Sequence, residues 1–250
     1  MEPVGHIRCD VVVMGVGAAG LAAAHAAARA GANVWVISKM HYRAPSPTTR
    51  AYGDITWSTE DTAGELVRQM ALTGGLLGNQ RLLEVLAADL PRRLADLRGI
   101  GVAFDEPRPA GEGMPGLMRW SYRGQDGGQG LVDVMQSAAE DAGAGLMWGK
   151  VATQVLVQDG RVVGLAYVCL KTLEVTVVAV PAVIIATGGG AGIFARTDSP
   201  PGNTGDGIAL AYRAGAELVD LECVSFVFPP HRVCEVLAAP SAPHEPLLEV

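Results

Sequence analysis

The sequence predicts an α/β domain in which a parallel sheet is accompanied by a helical insertion and a β-meander. Three observations carry this prediction. The chain opens with an apolar strand, a glycine-rich turn, a helix and a second apolar strand. A leucine-rich helical region fills the middle of the chain, and three short strand-like segments follow it. Strands that alternate with helices in this way favour a parallel sheet covered by helices.

The composition indicates a globular chain that can bury a sizeable core. Of the 250 residues, 49% are hydrophobic and 18% are charged, which excludes wholesale disorder. The 32 glycines show no period, so collagen is excluded and close backbone approaches are expected. The net charge is −7 and no basic stripe is present, which argues against a nucleic-acid partner. Phosphate groups can still bind, because helix N-termini hold them with backbone N–H groups.

The cysteines form no Cys-x-x-Cys motif and no Cys/His cluster. This spacing argues against a metal site and against a thioredoxin-like pair. It suits a reducing, cytoplasmic setting. We expect small core hydrophobes rather than nucleophiles at all four positions. They are Cys9, Cys169, Cys223 and Cys234.

The opening region predicts a βαβ unit of about 30 residues. Residues 9–14 form a short apolar strand, typical of a buried parallel sheet. A helix of small residues covers 18–30 and ends at Gly31, and the second strand covers 33–37. Residues 40–50 are polar, contain two prolines and are expected to be loop.

The same region could be mistaken for a signal peptide or a short membrane span. Residues 11–28 are apolar apart from His25. However, Asp10 opens this segment, three glycines interrupt its first half, and it divides into a β-branched piece and an Ala-rich piece. We therefore expect no integral membrane segment, and we expect His25 to serve packing rather than chemistry.

Residues 60–143 are predicted to be mainly helical. Asn79 can cap a helix over residues 80–97, and a second helix covers 130–142. The Gly- and Pro-rich residues 105–128 are expected to be loop. The first helix places five leucines on one face. These are Leu82, Leu83, Leu86, Leu90 and Leu94.

The pattern changes to strands after residue 150. The turn Gln158-Asp159-Gly160 predicts a hairpin between the first two strands of a meander. A further buried strand and a short helix then return to the sheet. The strands are expected over 151–157, 161–168, 175–180 and 182–186, and the helix over 207–214.

Residues 15–20 fit the Gly-x-Gly-x-x-Gly fingerprint of dinucleotide-binding domains. Gly15 permits a tight turn after the strand, Gly17 lets the main chain approach a diphosphate, and Gly20 lets the helix pack closely on the sheet. The helix N-terminus then offers N–H groups to the phosphates. Residues 111–116 match the same pattern, but they follow no predicted strand and open no helix, so we interpret them as loop.

The residues at the end of the second strand help to distinguish which dinucleotide binds. A carboxylate that binds the ribose is usual there. This chain has Ser38-Lys39 instead, and its next acidic residue is Asp54. The absence of the carboxylate weakens the interpretation as a plain NAD site, although the Ser38 hydroxyl or main chain can still reach a ribose.

With these motifs the chain resembles the flavoprotein family of succinate dehydrogenase, fumarate reductase and L-aspartate oxidase over about residues 9–229. The resemblance implies a Rossmann-like FAD-binding domain and FAD as the cofactor. The segments that carry it occur in the family's order. After the glycine motif and Ser38-Lys39 come Thr48-Thr49-Arg50-Ala51-Tyr52-Gly53-Asp54-Ile55, Gly101-Val102-Ala103-Phe104, Gly160-Arg161-Val162-Val163-Gly164, Ala186-Thr187-Gly188-Gly189, Thr204-Gly205-Asp206-Gly207 and Gly215-Ala216-Glu217.

The resemblance also implies a set of cofactor-binding residues. They divide into residues at the diphosphate, at the adenosine, at the flavin and at the cover over the cofactor. Asp206 would hydrogen-bond within the site, or serve only as a helix cap. The full set is Gly15, Gly17, Ala18, Ala19 and Gly20 for the diphosphate, Ser38, Lys39 and Val151 for the adenosine, Ser46, Thr48, Thr49, Ala51 and Gly53 for the flavin side, and Ala186, Thr187, Gly188 and Asp206 for the cover.

The sequence departs from the family at three places. Family members that attach FAD covalently use a His where this chain has Pro47, so we expect non-covalent FAD. Asp54 replaces a glycine near the flavin, where its charge would alter the flavin's potential unless it points away. Residues 225–230 lack the family's substrate-binding His, and we favour a surface position for His231.

Residues 1–230 are therefore expected to be the FAD-binding domain. Within it we expect 9–58 as the dinucleotide unit, 60–143 as the helical insertion, 151–180 as the meander and 182–230 as the return to the sheet. Residues 231–250 would be a Pro-rich tail or the start of a capping region. Nothing after Pro230 resembles the family's capping domain, so the catalytic residues stay unknown.

Three functions are compatible with these expectations. The first is an FAD-dependent oxidoreductase, or its FAD-binding portion, that transfers a hydride between the flavin and a small carboxylate or carbonyl compound. A partner chain or homo-oligomer would complete its active site. The second is a non-catalytic flavin-binding or assembly subunit. The third is a nicotinamide-dependent reductase.

Overall fold

The computed structural model describes residues 6–41, 43–51, 54–109, 117–123 and 127–224. Residues up to Glu217 form one compact unit, and a second unit begins at Leu218. The described part of the second unit, residues 218–224, contains no helix or strand. The second glycine motif, residues 225–230 and the expected tail lie outside the described residues.

A four-stranded parallel sheet forms the centre of the first unit, with the strand order β11-β2-β3-β7. Its register pairs Val12 with Trp35 and with Val183. The apolar runs of β2 and β3 suit strands that are buried on both faces. β11, which the sequence predicted as a buried strand, instead lies at an edge of this sheet, and Ile184 and Ile185 are exposed. This sheet confirms the predicted α/β fold class. Its strands are β2 (Val11–Met14), β3 (Val34–Ser38), β7 (Gly145–Trp148) and β11 (Ala182–Ile185).

Helices cover one face of the sheet. Val13 and Val36 point to this face and pack with Leu21 and Val132 in one buried cluster. The small residues of the first helix allow its backbone to lie close to the strands, and Gly31 ends the helix with a φ of +86°. The two helices are α1 (Ala18–Arg29) and α5 (Gly128–Asp141).

The meander covers the other face. Val12 and Met14 join Leu165 and Val178 in a second buried cluster, as the two-residue period of a strand requires. The hairpin turn has positive φ angles at both Asp159 (50°) and Gly160 (73°), as a type I′ turn does. The predicted meander is thus confirmed, and an additional strand extends it in the order β1-β10-β9-β8. These strands are β1 (His6–Arg8), β8 (Lys150–Gln158), β9 (Arg161–Cys169) and β10 (Val175–Ala179).

The helical insertion consists of α3 (Ala63–Thr73) and α4 (Gln80–Gly99), preceded by a short 3₁₀ helix over Glu60–Thr62. The Asn79 side chain accepts a hydrogen bond from the backbone N–H of Arg81, so the predicted cap is confirmed. The predicted leucine face is only partly buried. Helix α4 packs on α3 through Ala87 and Leu90. The Leu82 side chain lies outside this contact and is 66% exposed.

Residues 105–128 are not a simple loop, which corrects the prediction. They contain β5 (Arg108–Pro109) and β6 (Met118–Ser121), which form a three-stranded sheet with β4 (Asp54–Trp57) in the order β4-β6-β5. The partner strand β4 lies about sixty residues earlier in the chain. A four-residue strand whose partner is so distant carries no local periodicity, so the Gly- and Pro-rich flanks dominated the interpretation.

The first unit contains two further short α-helices. One is α2 (Pro47–Arg50), inside a segment that the sequence predicted as loop, and the other is α6 (Asp206–Arg213), where a helix was predicted. The apolar residues 11–28 divide into β2 and α1, as predicted. Across the described ranges, no helix combines the length and apolar character that crossing a membrane demands.

Candidate cofactor-binding site

A long cleft lies at the carboxyl ends of β2, β3 and β11, where open parallel sheets commonly bind ligands. The empty space within it is about 1140 Å³, a volume that includes the part open to solvent. Five chain segments form its walls: the glycine turn, the segment from the end of β3 to α2, the start of β8, the loop after β11, and the loop that precedes α6. The sheet thus gathers residues that are distant in sequence around one opening.

The glycine turn is built so that only glycine fits at two of its positions. Gly15 has a φ of +111°, and a Cβ atom there would lie 2.3 Å from the carbonyl oxygen of Ala186. A Cβ on Gly20 would lie 2.0 Å from the carbonyl oxygen of Gly15. The strand therefore passes directly into the helix, and the N-terminus of α1 is held at the floor of the cleft.

At the start of α1 the amide of Ala19 is available to an anion. Gly17 is the N-cap, offers no side chain, and no acidic residue stands in the first turn. The first helical hydrogen bond runs from Leu21 N–H to Gly17 O, so the amides of Ala18 and Ala19 lie outside the helical ladder. This arrangement gives the positive end of the helix dipole to the cleft.

Helix α2 contributes Thr48 to the same place. The Thr48 hydroxyl oxygen accepts a hydrogen bond from Ala18 N–H at 3.2 Å. Because that oxygen accepts from the amide, its own hydrogen is directed elsewhere and can be donated to a ligand oxygen. Ser46 and Thr49 hold α2 in shape, since each side chain bonds to the other's backbone N–H.

Gly128 packs directly against the backbone of α2. A Cβ atom on Gly128 would lie 1.8 Å from the carbonyl oxygen of Thr48, and the Gly128 N–H donates to Ala51 O at 2.8 Å. The start of α5 is therefore pressed against the backbone of α2. No pattern in the sequence marked this contact, because α2 itself was not predicted.

A cluster of three side chains, which we call the Lys39–Thr204–Asp206 triangle, joins the end of β3 to the start of α6. The Lys39 ammonium lies 2.5 Å from Asp206 Oδ2 and 2.6 Å from Thr204 Oγ1. The Thr204 hydroxyl donates to Asp206 Oδ1 at 2.7 Å. All three residues line the cleft.

The triangle keeps its carboxylate ionised. Partial burial of Asp206 favours the neutral form, but the hydrogen bonds from Lys39 and Thr204 and the charge of Lys39 together outweigh it. The pKa of Asp206 is therefore below its ordinary value. Asp206 is the first residue of α6, so it also faces the positive end of that helix.

The loops at residues 187–190 and 203–205 pack against each other above the sheet. Asn203 is buried, and its side-chain N–H donates to Ser199 Oγ at 3.0 Å. A Cβ on Gly188, whose φ is +73°, would lie 3.0 Å from the Asn203 oxygen. A Cβ on Gly207 would lie 2.1 Å from the Thr187 hydroxyl. The glycines of both motifs thus permit this contact.

Most of the residues predicted for the site surround the cleft. Gly20 is instead buried in the turn, Thr49 caps α2, and Ala51 follows α2 with its carbonyl bonded to Gly128; none of these three is among the lining residues. Gly53 lies outside the described residues. The predicted residues that line the cleft are Gly15, Gly17, Ala18, Ala19, Ser38, Lys39, Ser46, Thr48, Val151, Ala186, Thr187, Gly188 and Asp206.

The sequence reasoning missed several lining residues. Asn203 and Thr204 lie two or three residues before the predicted Asp206, and Lys150 and Pro45 directly precede the predicted Val151 and Ser46. His41 follows the predicted Lys39 by two residues, so closeness to a predicted residue was the available signal. The missed lining residues include His41, Pro45, Lys150, Asn203 and Thr204.

Pro47 and Asp54, two of the places where the sequence departs from the family, lie in different surroundings. Pro47 lines the cleft and is the first residue of α2, where proline is well tolerated. Asp54 is outside the lining and lies 3.6 Å from Arg119 across the β4–β6 pair. Its carboxylate is therefore directed to an arginine of the small sheet.

The described cysteines differ in their surroundings. Burial, followed by the charge of Asp10, raises the pKa of the Cys9 thiol, as suits a core residue. Cys169 is only partly buried. Among the described residues one group of possible metal ligands lies together, Asp220, Glu222 and Cys223, and all three are exposed.

The residues present fit FAD, because glycines at the turn admit a diphosphate and a free helix amide faces it. A family model described as "FAD binding domain" matches residues 10–235. The chain is 36% identical over 240 residues to L-aspartate oxidase of Mycobacterium tuberculosis, covering 90% of this chain and 44% of the relative. It is 33% identical over 228 residues to the fumarate reductase flavoprotein subunit of the same organism, covering 87% and 39%.

Solved structures agree with this fold. The Mycobacterium smegmatis Sdh1 complex in its apo form matches with a TM-score of 0.76 and 27% identity, over 85% of this chain and 39% of that one. The open conformation of a flavocytochrome c3 fumarate reductase matches with a TM-score of 0.79 and 23% identity, over 88% and 42%. The chain spans less than half the length of these relatives. It belongs to the FAD-binding family that includes the L-aspartate oxidases and the fumarate reductase flavoprotein subunits.

Proposed function

We propose that this chain is the FAD-binding portion of an oxidoreductase that transfers a hydride between the flavin and a small carboxylate or carbonyl substrate. The observation that carries the proposal is the free N-terminus of α1 at the floor of a cleft, between a glycine turn and Thr48. The relatives named L-aspartate oxidase and fumarate reductase support the substrate class.

The lining residues imply the direction in which the cofactor lies. The amide of Ala19 would bind the diphosphate, together with the Thr48 hydroxyl that the Ala18 amide holds in place. The adenosine would lie toward Lys39 and Val151, and the flavin toward Ser46 and the residues beyond α2. This direction follows from the βαβ unit, because the residue at the end of its second strand meets the adenosine ribose.

Bound FAD supplies the hydride acceptor or donor, and the protein binds and orients it. Gly17, which has no side chain, would leave room for the diphosphate, and Thr48 would donate a hydrogen bond to it. The loops at residues 187–190 and 203–205 would exclude water from one side. We assign no catalytic residue to this chain, and we propose that a partner chain or a second copy completes the active site in the cytoplasm.

The binding of FAD is proposed to be non-covalent. Pro47 lines the cleft where covalent members of the family have a His, and its side chain offers no nucleophilic atom. Acid precipitation of the purified chain should release all of the yellow colour into the supernatant. Colour that stays with the precipitated protein would contradict this.

The function is tested by purifying the full chain and measuring its flavin content and turnover. We expect a flavin absorbance spectrum, and reduction of fumarate or oxidation of succinate or L-aspartate with an artificial electron carrier, either alone or with a co-purifying partner. Flavin without turnover under any of these conditions would favour a non-catalytic flavin-binding or assembly subunit. A colourless chain that binds NADH would overturn the flavin proposal.

A further inference from the structure

The end of β3 carries a cation where many dinucleotide sites carry a carboxylate. In βαβ units a carboxylate at this position binds the ribose 2′-hydroxyl, whereas a basic residue nearby accommodates a 2′-phosphate. Lys39 directly follows β3 and lines the cleft. Taken alone, Lys39 would give the adenosine end of the cleft an affinity for a phosphorylated ribose.

The triangle removes that affinity. Lys39 donates two of its three N–H groups to Asp206 and Thr204, and its charge is balanced by the carboxylate. Both oxygens of Asp206 are occupied, one by Lys39 and one by the Thr204 hydroxyl. A 2′-phosphate that approached Lys39 would therefore meet a neutralised ammonium and the negative charge of Asp206 beside it.

We propose that Asp206 and Thr204 are specificity-determining residues, which neutralise Lys39 so that the cleft accepts an adenosine with a free 2′-hydroxyl and rejects one with a 2′-phosphate. This inference rests on the proposed function, because it requires the adenosine to lie at the Lys39 end. It differs from a purely structural role, in which the triangle would only fasten β3 to α6.

A pair of ligands that differ only in the 2′-phosphate separates these two roles. ADP-ribose and 2′-phospho-ADP-ribose are titrated against the FAD complex of the full chain, and displaced FAD is followed by its fluorescence. For the wild type we expect ADP-ribose to displace FAD at a concentration about tenfold lower than 2′-phospho-ADP-ribose does, because the carboxylate of Asp206 repels the 2′-phosphate and Lys39 has no unpaired charge to offset this. Higher salt should narrow this ratio, because the discrimination is electrostatic.

The variant Asp206→Asn should reverse the preference, because it frees the ammonium of Lys39 without changing the size of the side chain at residue 206. 2′-Phospho-ADP-ribose should then displace FAD at a concentration about tenfold lower than ADP-ribose, or lower still. The double variant Asp206→Asn, Lys39→Met should lose that gain. The matched control is Asp133→Asn, which removes a carboxylate paired with Arg43 outside the cleft lining and should leave the ratio unchanged.

A wild type that binds both ligands equally would overturn the inference, and this measurement stands even if a variant fails to fold. The inference is also overturned if Asp206→Asn weakens both ligands alike, which is the result of a structural role. If both ligands displace FAD at the same concentration, only the inference about Asp206 and Thr204 fails. If FAD itself does not bind, the proposed function fails as well.

Discussion

The backbone of Gly128, at the start of α5, lies so close to the carbonyl oxygen of Thr48 that a Cβ atom would come within 1.8 Å of it. This contact fixes α2, and α2 carries Thr48 to the N-terminus of α1. The position of the Thr48 hydroxyl in the cleft is thus set by a glycine eighty residues away in the chain.

Replacing Gly128 by alanine should therefore damage both stability and FAD binding. We expect Gly128→Ala to lower the free energy of unfolding by about 1–3 kcal/mol, because neither backbone can yield without moving a helix. Thermal unfolding and FAD titration measure the two effects. Gly64→Ala is the matched control: Gly64 lies in the first turn of α3 with nothing near its missing Cβ, so alanine there should be neutral or stabilising.

The Thr48 hydroxyl should matter as a hydrogen-bonding group and not as bulk. Thr48→Val keeps the shape but leaves Ala18 N–H without its partner. It also removes the hydroxyl that we propose as a donor to the diphosphate. We expect FAD affinity to fall about fivefold to tenfold, the equivalent of about 1 kcal/mol for one hydrogen bond. Thr48→Ser restores the hydroxyl and should restore most of the affinity, and equal losses in both variants would count against the hydroxyl.

Gly15 should be essential for a reason that can be separated from its positive φ. Gly15→Ala places a Cβ 2.3 Å from Ala186 O, whereas Gly31→Ala has a similar φ but meets nothing within 4 Å. We expect Gly31→Ala to cost about 1–2 kcal/mol of stability through backbone strain alone and to keep FAD bound. Gly15→Ala should cost more and abolish FAD binding. Similar behaviour of the two variants would show that steric contact with Ala186 is unimportant.

The sequence predicted those parts of the fold whose signals are local. The apolar run of the first parallel strand, the turn at Asp159-Gly160 and the Asn79 cap each act over a few residues, and each is found as predicted. The glycine turn was also recognisable, because strand, turn and helix are consecutive.

The parts that escaped prediction depend on contacts between distant segments. Strand β6 is defined by its pairing with β4, and the exposure of Leu82 depends on how α4 packs on α3. Likewise, Lys39 and Asp206 were each predicted to face the cofactor, but their ion pair joins positions 167 residues apart. No local pattern reports such a distance, so the neutralisation of Lys39 becomes visible only in the fold.

Cys169 should react with alkylating agents at a lower pH than an ordinary cysteine. Hydrogen bonds from Thr172, and next from Lys150, lower the pKa of the Cys169 thiol to about 6. Since the thiolate is the nucleophile, the rate of iodoacetamide labelling at Cys169 should rise with pH to half its plateau near pH 6. Residue-specific mass spectrometry gives the rate.

The variant Thr172→Val should move that midpoint toward the ordinary thiol value, since it removes the largest of the stabilising hydrogen bonds. Cys9 serves as the internal control, because it is buried and should stay unlabelled in the folded chain. A midpoint for Cys169 near that of a free thiol, in the unchanged chain, would contradict the prediction.

The isolated chain should self-associate through the apolar surface at the junction of α3 and α4. Large hydrophobic side chains are exposed along this continuous stretch, most of all Leu77, which is 83% exposed. Apolar patches of this kind mark association surfaces. The exposed residues of the stretch are Met70, Leu72, Leu76, Leu77, Leu82, Val85 and Leu86.

Sedimentation velocity of the unchanged chain should show a mass that increases with concentration. The double variant Leu77→Gln, Leu82→Gln should shift the chain toward the monomer, because it removes the most exposed apolar groups of the patch. Leu170→Gln is the matched control: Leu170 is also exposed but follows β9, away from this stretch, and its substitution should leave the association unchanged. A chain that sediments as one stable monomer at all concentrations, with FAD bound, would show that this surface is not used for self-association.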